Sequence, residues 1–97
     1  MTLNQWKNLY TWIFMYLLVD IFFHQKPVWI KAHAIKRARE RDIIFPDMIY
    51  ATILGGRATR FGKNYLKFVK EYKQGTVICI GEDLGHTIII KTVEWGN

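Results

Sequence analysis

Ninety-seven residues make one small domain, with room for a single modest core. Hydrophobic residues form 51% of the chain and charged ones 23%, which argues against disorder, and a lone cysteine excludes an internal disulfide. Fourteen Lys and Arg against eight Asp and Glu give a formal charge of +6, suited to polyanions such as RNA, DNA or anionic lipid.

In chain order, the first part is an apolar extension, residues 1–26, preceding a domain at 27–97. "LYTWIFMYLLVDIFF", Leu9 to Phe23, carries Trp6, Leu9, Tyr10, Ile13, Phe14, Leu17, Leu18 and Ile21 on one helical face. A membrane-spanning helix needs about 20 largely apolar residues, and this run is shorter and contains Asp20. It also lacks the small-residue cleavage site of a secretory signal. The spacing predicts a helix buried against its own domain or a second copy, giving a homodimer through this helix. Membrane association through residues 9–23 stays open beside it. Pro27 cannot continue the helix and disfavours helical geometry at Lys26.

"VWIKAHAIKRARERD" begins extended and turns helical, because Ala, Lys, Arg and Glu are good helix formers. "FPDMIYATILGG" predicts a second short helix. Pro46 suits its first turn, Asp47 complements the N-terminal dipole, Gly55-Gly56 stops it, and Ile49, Ile53 and Leu54 face the core. The period then changes. "YLKFVKEY" alternates, "TVICIG" is wholly apolar and "TIIIKTVEW" is β-branched, with turns at "KQG" and "EDLGH". "RATRFG" adds a fourth strand or an edge. The expected fold is α+β: N-terminal helices packed on one face of a three- to four-stranded antiparallel sheet. Cys79, inside the apolar run, reads as a buried structural thiol, and a reducing cytoplasm fits it.

Charge concentrates between Lys31 and Lys73, with 11 basic and 4 acidic side chains. Within "HAIKRARERD", helical phase places His33, Arg37 and Arg41 in an arc of roughly 80°. Ala34, Ile35 and Ala38 form the core stripe beside it, and Lys36 and Glu40 lie on the opposite flank. Arginines one turn apart repel unless an anion bridges them. A phosphate would serve, since guanidinium forks match its oxygens. So would an internal carboxylate: Glu71, Glu82, Asp83 or Glu94. From spacing alone, a solvated structural helix and a nucleic-acid contact both remain open.

The stretch "HAIKRARERDIIFPDMIYATILGG" resembles the signature of small prokaryotic and viral proteins grouped as domain of unknown function 4258. Their pattern is a helical His-Ala-x-x-Arg-x-x-x-Arg, an Ile, an acidic helix start, an apolar helix and Gly, then a sheet ending in a Thr-Val strand. His33, Ala34, Arg37, Glu40, Arg41, Ile43, Asp47, Ile53, Gly56, Thr92 and Val93 match in order, within Val28 to Trp95. Two departures concern the turn between the helices: Asp42 stands where Gly is usual, and Ile44 where Ser or Thr caps.

That family is similar to RelE-type and barnase-like ribonuclease toxins. The resemblance implies metal-independent RNA cleavage, with His33 as base or acid. Arg37 and Arg41 would hold the scissile phosphate, Thr92 would add a hydrogen bond, and Arg57, Arg60 and Lys63 would hold the RNA backbone. It further implies an acidic antitoxin over the basic face, and no cofactor. Separately, Tyr65, Phe68 and Tyr72 interleave with Lys67 and Lys70, as on single-strand binding surfaces. The competing class is a noncatalytic module that recognises nucleic acid or protein with the same surface. His24, His33 and His86 lack the close His or Cys partner of a zinc site, so no metal is expected. "GEDLGH" lacks the ligands of a calcium loop, and the glycines of "LGGRATRFG" lack a phosphate-binding context.

Overall fold

A computed structural model describes residues 21–96. It opens with a tight hairpin, β1 (Phe22–Phe23) and β2 (Lys26–Ile30), around the loop His24-Gln25. Both loop residues have positive φ, 49° and 67°, the hairpin geometry that follows the natural twist of the strands. The apolar segment expected to be helical to Phe23 is therefore corrected at its end, where Phe22 and Phe23 are a strand. The remainder of that segment lies outside the described residues. Among those described, no helix is long and apolar enough to cross a membrane.

Helix α1 (Ala32–Glu40) follows β2 after Lys31 and buries Ala34 and Ala38 completely. Its small buried residues let the helix lie close to the sheet, chiefly over β6. Its C-terminus closes with paired backbone bonds: Ile43 N–H donates to Ala38 O at 2.8 Å, and Asp42 N–H to Arg39 O at 3.3 Å. This is the Schellman arrangement, which needs a left-handed residue just past the helix. Asp42 supplies it with φ 59°, so it takes the conformation that glycine adopts most readily.

Helix α2 (Asp47–Gly55) buries Met48, Ile49, Thr52 and Ile53. Leu54, expected in the core, is 58% exposed instead, because the buried stripe runs 48-49-52-53 and leaves position 54 outside it. Gly56 ends the helix where the backbone comes very close to Val69: a Cβ there would collide with the Val69 and Thr52 carbonyl oxygens.

The remaining strands are β3 (Arg57–Phe61), β4 (Tyr65–Tyr72), β5 (Gly75–Asp83) and β6 (Ile88–Gly96). The expectation of helices on a three- to four-stranded antiparallel sheet is overturned. The sheet has six strands in the order β1-β2-β6-β5-β4-β3, is mixed, and curls into a half-barrel that dominates the fold. It is mixed because Val28–Ile30 run parallel to Ile88–Ile90, a pairing that joins the start of the described chain to its end.

Register sorts the side chains onto two faces. Leu66 and Phe68 of β4, Val77 and Cys79 of β5, and Val93 of β6 point into the core beneath the helices. Lys67, Val69, Ile78, Ile80, Thr92 and Glu94 lie on the other face. A bulge changes the phase along β6: Ile90 faces Gly81 and Thr92 faces Ile80, so Lys91 is the extra residue.

Candidate nucleic-acid interface

Two basic surfaces emerge from this frame. On α1, His33 and Arg37 are exposed, and Arg37 Nε donates to His33 Nε2 at 3.4 Å, an i,i+4 contact. Arg41 behaves differently. Its Nη1 donates to the Val93 carbonyl at 2.9 Å, and its own carbonyl accepts the indole N–H of Trp95. The segment of β6 beyond Ile90 has no β2 residue beside it, so among the described residues Arg41 satisfies a carbonyl on the edge that β2 leaves uncovered. None of the four acidic residues suggested as internal partners pairs with Arg37 or Arg41 among the described residues. Glu82 binds Lys91 at 2.6 Å, and Asp83 binds Lys26 and Arg60.

Thr92 does not join this line. Its neighbour Val93 is buried on the core side with Ala34 and Ala38, while Thr92 sits opposite Ile80 on the far face. The helix therefore brings His33 and Arg37 together, holds Arg41 in a structural contact, and leaves Thr92 across the sheet.

The second surface is the outward side of the β3–β4 hairpin. Cross-strand pairing sets Arg57 opposite Val69, Thr59 opposite Lys67, and Phe61 opposite Tyr65. The Phe61 and Tyr65 rings stack with centroids 5.5 Å apart and planes 25° from parallel, and both are exposed. Gly62 holds the tight connection with φ 58°, and Lys63 rides at its tip, exposed like Arg57 and Lys67. Arg60 points the other way. It faces Leu66 in register and reaches Asp83 at 3.1 Å, so of Arg57, Arg60, Lys63 and Lys67, the cations expected to meet nucleic acid, it alone is paired among the described residues.

Asp83 is the anchor at that end of the sheet. Lys26 from β2 approaches at 2.9 Å and Arg60 from β3 at 3.1 Å, each two strands away from β5. Both reach one carboxylate because the sheet curls around it. Hydrogen bonding from Lys26, then from the Gly85 N–H, pulls the Asp83 carboxyl down to about 2.

The aromatic pattern expected along β4 divides between the faces. Phe68 is fully buried, and the Tyr72 hydroxyl donates to Met48 O at 3.0 Å, beside Thr52. Lys70 lies over the Tyr72 ring, 5.9 Å from its centroid. Only Tyr65 of the three is available to a partner. Its companion Phe61 escaped sequence reasoning, although the signal is present: in "FGKNY" the two aromatics flank a three-residue turn, which makes them cross-strand neighbours.

Cys79 is fully buried, and desolvation pushes its thiol up to about 12, so it is not a nucleophile at neutral pH. Among the described residues no group of His, Cys, Asp and Glu is placed to hold a metal ion. Comparison of the chain with known protein families, curated proteins and solved structures finds no match.

Proposed function

We propose that the protein binds single-stranded RNA through the outward side of the β3–β4 hairpin, without cleaving it. The observation that carries this reading is the exposed, stacked Phe61–Tyr65 pair beside Arg57, Lys63 and Lys67. Bases of any identity stack on such rings, while the cations attract the backbone without reading sequence. Val69, Ile78 and Ile80 extend the same face, so the surface offers apolar contact and positive charge together. A buried thiol suits a reducing compartment, and cytoplasmic RNA is the polyanion proposed.

The test is fluorescence anisotropy with a labelled single-stranded RNA in chelator. Each base–ring stack is worth about 1–3 kcal/mol, so Phe61→Ala/Tyr65→Ala is expected to weaken binding by roughly ten-fold or more. Circular dichroism establishes that the variant is folded. Unchanged affinity in a folded double variant would sink the reading.

Endonucleolytic cleavage at His33, as the family resemblance implies, is the second reading, with an acidic antitoxin as its partner. The observation favouring it is the Arg37–His33 contact, which sets an imidazole and a guanidinium side by side on one exposed helix face. Electrophoresis of the same RNA decides it: cleavage in chelator that His33→Ala abolishes would replace the binding reading with the enzymatic one.

A further inference from the structure

We propose that the groove beside the hairpin reads a guanine base of the bound strand, with Glu94 as the specificity-determining residue. This rests on the RNA-binding reading above. The groove crosses four strands: Thr59 and Phe61 of β3, Lys67 of β4, Ile78 and Ile80 of β5, and Glu94 of β6 enclose about 430 Å³. Ile78 and Ile80 form an apolar floor on which a planar base can lie, and Phe61 forms a wall at the stacked pair.

The two polar ends of the groove have opposite character. The Lys67 ammonium can only donate, and the Glu94 carboxylate can only accept. Among the described residues neither side chain has a hydrogen bond or an ion pair of its own. Glu82, on the same face, is by contrast tied to Lys91 at 2.6 Å. A lone carboxylate on a face that attracts phosphate opposes general backbone binding. It becomes useful where something in the ligand donates to it.

A carboxylate presents two acceptor oxygens side by side. Guanine alone among the four bases offers two adjacent donors, N1–H and the N2 amino group, with the O6 acceptor next to them. Adenine and cytosine place one amino donor beside a ring acceptor, and uracil places one N–H between two carbonyls. Any of these three would turn a lone pair toward one oxygen of Glu94. Guanine satisfies both oxygens and leaves O6 toward the Lys67 end of the groove.

The experiment uses the intact chain and three short labelled strands: all uridine, the same with one central guanosine, and the same with inosine at that position. A bidentate base contact discriminates by about 1–3 kcal/mol, so the guanosine strand should bind roughly ten-fold tighter than the all-uridine strand. Inosine, which lacks the N2 amino group, should lose most of that gain. Glu94→Gln should erase the guanosine preference and leave all-uridine binding unchanged or tighter, since a repelling charge is removed. Equal binding of the uridine and guanosine strands overturns the pocket, as does a preference that survives Glu94→Gln. All-uridine binding without a guanosine preference sinks the pocket alone, whereas no binding of any strand sinks it together with the reading beneath it.

Discussion

The helix line and the hairpin face carry similar numbers of cations but have committed them differently. Along the helix line, Arg41 just past α1 is occupied by the Val93 carbonyl and Arg37 leans on His33. On the hairpin, Arg57, Lys63 and Lys67 are exposed, and among the described residues none is paired. Among the described residues α1 also carries no aromatic side chain, whereas the hairpin holds a stacked pair. A count of positive charge cannot separate these surfaces. What each charge already touches separates them, and so does the chemistry beside it.

The most disruptive way to break the comparison is at Gly56, where α2 hands over to β3. Its missing side chain lets the helix end meet the β4 backbone, and Gly56→Ala would force a new methyl group against two carbonyl oxygens. We expect a loss of about 2–3 kcal/mol in urea unfolding. RNA affinity should fall with it, because the hairpin would be displaced from its packing. An unchanged unfolding midpoint would show that this contact is not tight.

A pair of substitutions sharpens the comparison directly. Arg41→Met removes the donor from the Val93 carbonyl and is expected to cost about 1–2 kcal/mol of stability, with RNA affinity unchanged. Lys67→Met should do the reverse. Stability should stay within about 0.5 kcal/mol, while affinity drops and the logarithmic salt slope shrinks by about one-half to one. If Arg41→Met weakened RNA binding at constant stability, the helix would be the binding surface instead.

These contrasts also show which parts of the fold were legible in the sequence. The helices at Ala34–Ala38 and Ile49–Ile53 and the strands around Phe68, Cys79 and Val93 each announce a local period, and periods of 3.6 or 2 are written in neighbouring residues. The pairing of Val28 with Ile88 is not, because nothing in "KPVWI" names a partner sixty residues away. Thr92 illustrates a subtler limit. Alternation from buried Ile88 and Ile90 would carry Thr92 inward, and the bulge at Lys91 sends it outward. The His33–Arg37 proximity was readable from helical phase, whereas the capture of Arg41 by a strand edge depends on where β2 stops.

The smallest expected effect is also the one that separates the two surfaces most cleanly. Asp42 is exposed and left-handed at the end of α1, where the partial negative charge of the helix terminus disfavours a carboxylate. Asp42→Gly relieves the conformation and removes that charge, so it should stabilise the protein by about 0.5–1 kcal/mol, read as a higher urea midpoint. The same change makes the helix line more positive beside Arg37 and Arg41 without touching the hairpin. If RNA lies on the hairpin, affinity should remain as in the parent. If RNA lies along α1, loss of a neighbouring negative charge should tighten binding and steepen its salt dependence, so a gain in affinity would reverse the assignment.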